Sequence, residues 1–120
     1  MGVRSYRDLI VWQKAMDLVE EVYGITKFFP REEQFSLTSQ LRRSAISVPS
    51  NIAEGEGRFS KADFNHFLSI SHGSLCEAET QTLLANRLDY IERAVADELL
   101  ERSAEVGRLI RGLSKSLTTS

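Results

Sequence analysis

The sequence predicts an all-α fold: an antiparallel, up-and-down four-helix bundle in a single domain that assembles as a homo-oligomer. Three observations carry this expectation. Apolar side chains recur at intervals of three and four residues in four separate stretches, the spacing that lines one side of a helix. Short polar segments separate the stretches, so consecutive helices are expected to lie side by side and run in opposite directions. Proline, the strongest breaker of helices, occurs only at Pro30 and Pro49. Helices are expected over about 7–29, 37–55, 61–86 and 92–117. A chain of 120 residues is one domain, 1–120, with room for one core.

The first helix draws Leu9, Trp12, Met16, Val19 and Tyr23 onto one side and Val11, Ala15, Leu18, Val22 and Ile25 onto an adjoining side. Gln13, Asp17, Glu20 and Gly24 are left for solvent. A helix packed on a single core needs an apolar stripe little more than about 100° wide, and this arc is broader. The excess predicts a second copy of the chain, covering part of Val11, Leu18, Val22 and Ile25. Pro30 is expected to stop the helix, because it disfavours helical geometry at Phe29 and has no N–H to donate.

Ser36 is the candidate N-cap of the second helix. From Leu37 to Arg58 the chain carries two stripes about a third of a turn apart. Leu37, Leu41, Ala45, Val48 and Ile52 form an apolar one; Gln40, Arg43, Ser47, Asn51 and Glu54 form a polar one. Pro49 deletes the hydrogen bond to the Ala45 carbonyl and is expected to bend this helix without ending it, since both stripes keep phase through Asn51, Ile52 and Glu54. Gly55 and Gly57 are expected to end it as residues that tolerate positive φ.

Ser60 followed by Asp63 marks the start of the third helix, where Phe64, Phe67, Leu68, Ser71, Leu75, Ala78 and Thr82 keep helical phase. Ser74, Glu77 and Gln81 run along its flank as a second polar line. Residues 86–91 are the expected turn. Val95, Leu99, Val106, Leu109, Ile110, Leu113 and Leu117 then define the last helix. Its early turns carry Asp97, Glu98 and Glu101 and its late turns Arg108, Arg111 and Lys115, an order that complements the helix dipole.

Composition narrows the function. With 42% hydrophobic and 27% charged residues the chain is a globular protein. A net charge of −2 argues against nucleic-acid binding by bulk electrostatics, which usually needs a basic surplus. No run of about 18 apolar residues is present, and the N-terminus lacks the apolar core of a signal peptide, so no membrane span and a cytoplasmic location are expected. The single Cys76 excludes an internal disulfide and a zinc site of clustered cysteines. His72, Cys76 and Glu79 are spaced acceptably for a metal, but with no second cysteine, chance placement is the preferred reading and neither metal nor cofactor is expected. The glycines of EGEGRFSK follow a helix rather than a strand and lack the GK[ST] ending of a phosphate loop, which favours a plain turn.

The polar stripe has three readings: a solvated face, a buried structural network, and a ligand or catalytic site. The network is preferred, because the stripe borders core positions and Ser74, Glu77 and Gln81 offer matching partners. Arg43 then pairs with Glu77, and Arg43→Ala is expected to destabilise more than Arg42→Ala, Arg42 lying on the back of the same helix. Catalysis by Glu54 and Glu77 would need an open pocket and separated pKa values.

Three segments in this order, DLIVWQKA (Asp8 to Ala15), QLRRSAISVPSNIAEGEGR (Gln40 to Arg58) and GSLCEAETQ (Gly73 to Gln81), resemble the recurring blocks of the four-helix-bundle proteins encoded in 23S rRNA intervening sequences. Ser44, His72 and Cys76 depart from the small or apolar residues of those blocks, at little consequence for the fold. The resemblance implies a pentameric ring. Similarity also extends to the accessory variability protein of diversity-generating retroelements, which implies a ring beside a reverse transcriptase and nucleic acid.

The expected function is therefore a non-catalytic, oligomeric binding or scaffold protein whose partners are itself and another protein. One alternative is a nucleic-acid-binding accessory protein of ribosomal RNA or a reverse transcriptase, with contacts from Arg4, Arg7, Arg42 and Arg58 and weak, salt-sensitive affinity. A second is a small enzyme using Arg43, Glu54 and Glu77.

Overall fold

The computed structural model describes residues 5–118. It contains four helices, α1 (Ile10–Thr26), α2 (Leu37–Glu56), α3 (Lys61–Arg87) and α4 (Arg93–Thr118), with 3-10 turns at Tyr6–Asp8 and Arg31–Glu33 and no strand among the described residues. The seam between α2 and α3 is the most extensive; α1 packs on α2, α3 on α4, and α4 closes back on α1. The resulting bundle measures 46 × 24 × 20 Å. No helix among the described residues is long and apolar enough to cross a membrane.

The first helix is shorter than its apolar pattern predicts, and local hydrogen bonds explain both ends. Ser5 Oγ accepts from the Arg7 N–H at 3.0 Å and caps the 3-10 turn, and Leu9 is extended before α1 begins. After Thr26 the N–H groups of Phe28 and Phe29 bond carbonyls three residues back, at 3.2 and 3.1 Å, so the chain tightens into a turn well before Pro30. Phe29 thereby folds into the core against Tyr90, with ring centroids 5.6 Å apart.

Along α2 the apolar stripe is the core: Leu41, Ala45, Val48 and Ile52 are fully buried and Leu37 nearly so. The helix runs through Pro49 to Glu56. Two expectations about its ends are corrected. Ser36 makes no side-chain cap; its hydroxyl donates to Glu33 Oε1, the carboxylate oxygen that also accepts the Leu37 N–H at 3.2 Å. Nor do Gly55 and Gly57 adopt positive φ. Gly55 is needed for closeness: a Cβ there would stand 2.8 Å from Phe67 Cβ and 3.2 Å from the Phe64 carbonyl oxygen.

Ser60 does cap α3, accepting from the Asp63 N–H at 3.0 Å. That helix ends at Arg87, and Asp89, at φ 62°, turns the chain toward α4. At this end of the bundle Tyr90 donates to Glu33 Oε2 at 2.8 Å, tying the α3–α4 turn to the α1–α2 turn. The Tyr90 hydroxyl, followed by the Leu37 N–H and the Ser36 hydroxyl, holds the Glu33 carboxyl below its ordinary range; the same bond raises Tyr90. On the seam between α1 and α4, Arg102 Nε lies 2.7 Å from Glu21 Oε2, while burial pushes the Glu21 pKa up against that cation.

The arc on α1 is divided differently from the sequence expectation. Val11, Leu18 and Val22 are buried in the chain's own core and Ile25 is half-buried. The apolar excess that faces outward is the other side: Met16 and Tyr23 exposed, Trp12 and Val19 half-buried. With two core stripes available, α2 and α4 cover the one carrying Ala15, because its small side chain permits the closest approach.

Candidate functional site

The polar stripe and its α3 counterpart meet along the α2–α3 seam. Small side chains bring the two helices together there, with Ser71 donating to the Val48 carbonyl at 2.8 Å. Nearer the surface of the seam, Ser47 Oγ and Ser74 Oγ are 2.8 Å apart, and Asn51 Nδ2 donates to both the hydroxyl and the carbonyl of Ser47 at 2.8 Å. These three side chains form a partly buried hydrogen-bonded chain. Gln40, Arg43, Ser44, Ser47, Ser74, Glu77 and Gln81 line an open hollow of about 310 Å³ above it. Gln81 Oε1 is buried in this wall without a hydrogen-bond partner among the described residues.

The rest of the stripe does not join the chain. Arg43 and Glu77 are exposed and make no ion pair among the described residues, contrary to the expected Arg43–Glu77 bridge. Glu54 lies 3.1 Å from Arg58 on its own helix turn, with both side chains about half exposed. The physical reason is separation: hydroxyl-sized groups fill the seam, and a guanidinium and a carboxylate fit only at its rims. Ser44 belongs to the hollow although it was outside the predicted stripe; its hydroxyl is buried and donates to the Gln40 carbonyl at 2.9 Å.

The arginines proposed for nucleic-acid contact are largely engaged elsewhere. Arg42 Nε donates to Thr26 Oγ1 at 2.8 Å, and its guanidinium sits 4.4 Å from the centre of the Tyr23 ring. Arg42 is therefore a clamp between α1 and α2, and the geometry reverses the expected ranking of Arg42 and Arg43. Arg58 pairs with Glu54 and lies over Phe67, and Arg7 lies over Tyr6. Arg4 is outside the described residues. Nothing in sequence spacing points to the Arg42 clamp, because both its partners are on another helix.

The third helix also resolves its other constellation. His72 Nδ1 is 3.9 Å from Cys76 Sγ, but Glu79 accepts from Ser103 at 2.6 Å across the α3–α4 seam. Among the described residues no group of three or more His, Cys, Asp or Glu side chains is arranged to hold a metal ion.

The model of the 23S rRNA-intervening sequence protein family matches residues 7–112. The chain belongs to that family. A crystal structure of a protein of unknown function from the S23 ribosomal protein family of Bacteroides thetaiotaomicron VPI-5482 superposes with a TM-score of 0.82 at 29% sequence identity, covering 88% of this chain and 99% of that one. None of the curated proteins matches the chain. The blocks that carry the resemblance coincide with structure: the second holds the α2 half of the Ser47–Asn51 chain and Gly55, and the third holds Ser74, Glu77 and Gln81. In this family member, therefore, the quoted signature contains the residues that let α2 and α3 approach.

Proposed function

We propose that this chain is a non-catalytic binding and scaffold protein that works as a homo-oligomer of antiparallel, up-and-down bundles. The antiparallel reading is supported by the cross-helix contacts, in which residue numbers rise on one helix as they fall on its neighbour: Ser47 meets Ser74 while Gly55 meets Phe64, and Glu79 meets Ser103 while His72 meets Arg111.

One observation carries the oligomer. Tyr6, Trp12, Met16, Val19, Ile46 and Pro49 line an apolar groove of about 360 Å³ on the outer side of α1 and α2. The turn after α1 meanwhile leaves Phe28 and Phe35 at 83% and 89% exposure. An apolar groove and protruding aromatic rings at different places on one chain suit a head-to-tail contact between copies, the kind that closes into rings. Five copies in a ring is the assembly that the family resemblance implies. The polar stripe supports a structural role: Ser47, Ser74 and Asn51 bond one another, and Glu54 faces Arg58.

Light scattering at micromolar concentration tests this. The expected mass is a multiple of 13.6 kDa, and Met16→Glu with Ile46→Glu, which add charge to exposed groove positions, are expected to reduce it without unfolding the chain. A monomeric parent protein overturns the reading. Nucleotide turnover that disappears with Glu54→Gln or Glu77→Gln would instead make the chain an enzyme.

A further inference from the structure

Several cations of this protein face carboxylates. Lys14 faces Glu105, Arg58 faces Glu54, Arg93 faces Asp97, and Arg102 faces Glu21 and Glu98. Arg108 lines a hollow with Glu98, Glu101 and Glu105. The last turns of α4 differ. From Val106 onward the described part of α4 carries Arg108, Arg111 and Lys115 and no acid, although the whole chain has a net charge of −2.

Arg111 and Lys115 face a groove between α3 and α4 of about 470 Å³ whose walls include Ser69, His72, Ser114 and Thr118 and, among the described residues, no carboxylate. Its neighbouring hollow, which shares Ser69 and Thr118, also includes Lys61 and His66. Arg111 Nη1 lies 3.2 Å from His72 Nε2. A guanidinium only donates, so Nε2 is the acceptor in this contact. Arg111 is thus positioned by a partner that leaves its charge intact. Favourable placement near a helix C-terminus accounts for Lys115, which is in the last turn, but that effect fades within one turn and does not reach Arg111.

We propose that the α3–α4 groove binds a phosphate group, held by Arg111 and Lys115 with the Ser69 hydroxyl as a further donor. The fit is chemical: two cations without a carboxylate competitor among the described residues, one of them a guanidinium able to donate several N–H groups, beside hydroxyls that tolerate a hydrated oxyanion. The phosphate belongs either to a small phosphate ester or to the backbone of a single-stranded nucleic acid. Arg7, Arg42 and Arg58 take no part. The site lies on one chain and does not depend on the proposed assembly.

The experiment titrates the full chain at low salt with inorganic phosphate and, separately, with a single-stranded oligouridylate, following the His72 ring by NMR and the affinity by calorimetry. Both probes are expected to shift the His72 resonances. Lys115→Gln removes no side-chain hydrogen bond and is expected to weaken the oligonucleotide and lower its log affinity against log salt slope by about 0.7, the value of one single-strand phosphate contact. Arg108→Gln, the same charge change beside acids, is expected to leave both nearly unchanged. A response to phosphate with no gain from the oligonucleotide supports the groove and assigns it to small phosphate esters. His72 signals unmoved by either probe, or equal losses in Arg108→Gln and Lys115→Gln, overturn the proposal.

Discussion

Two adjacent arginines leave α2 on opposite flanks and meet opposite fates. Toward α1, Arg42 stacks on Tyr23 and donates to Thr26. Toward α3, Arg43 stands exposed at the mouth of a hollow with Glu77 on its wall and makes no ion pair among the described residues. The contrast shows that the width of a seam decides which polar groups can join it. The α1–α2 edge leaves room for a long side chain to lie across an aromatic ring. The α2–α3 seam, closed down to Gly55 against Phe64 and Phe67, is bridged by hydroxyls and the Asn51 carboxamide.

The most damaging way to break this contrast is to force the tight seam open. Gly55→Ala is expected to destabilise the protein by about 1–3 kcal/mol, the usual range for overpacking, even though alanine has the better helix propensity by about 1 kcal/mol. A urea midpoint equal to that of the parent would mean that the seam can widen, and its exclusion of long side chains would lose its basis.

Next in size is the flank toward α1. Arg42→Ala removes a cation–π contact and a charged hydrogen bond and is expected to cost about 1–2 kcal/mol, whereas Arg43→Ala should stay within about 0.5 kcal/mol as an ordinary surface change. Midpoints in the reverse order would restore the buried Arg43–Glu77 bridge that the helical pattern predicts. Inside the seam, Ser47→Ala and Ser74→Ala each lose a hydrogen bond worth about 1 kcal/mol, and the pair should couple by about 0.5 kcal/mol or more in a double-mutant cycle. Additive losses would show that the two hydroxyls do not depend on each other.

The smallest effect sharpens the comparison at the end of the bundle. Glu33 has a folded pKa below its ordinary value of 4.5. Its bonds therefore contribute stability that is present above that value and lost as pH falls through the lower, folded pKa. Tyr90→Phe removes the leading cause of the shift. The stability gap between the parent and this variant is expected to be fullest near neutral pH and to close in acid. A gap independent of pH would mean that Tyr90 acts through packing on Phe29 rather than through Glu33.

Much of the fold was legible in the residues. The starts of α2 and α3 fell where the helical periods begin, Ser60 capped as its spacing with Asp63 predicts, and the helix ran through Pro49 because both stripes keep phase across it. The candidate site was legible in part. Ser47, Asn51 and Ser74 do come together, whereas Arg43, Glu54 and Glu77 do not join them. Two signals were present but misleading: Gly55 reads as a helix end where the seam needs a close approach, and Ser44 only as a departure from the small or apolar residues of its block.

By itself the sequence determined four helical periods, their order, the family and the angular position of every side chain around its own helix. Tertiary structure decided which of two apolar stripes on α1 became core, that Arg42 rather than Arg43 bridges helices, and that Arg111 keeps its charge beside His72 while Arg108 sits among acids. The physical reason is that periodicity is a property of one helix. The separation between two axes depends on the side chains of both, so whether a polar group is buried, bridged or left at the rim is settled only when the neighbour is in place.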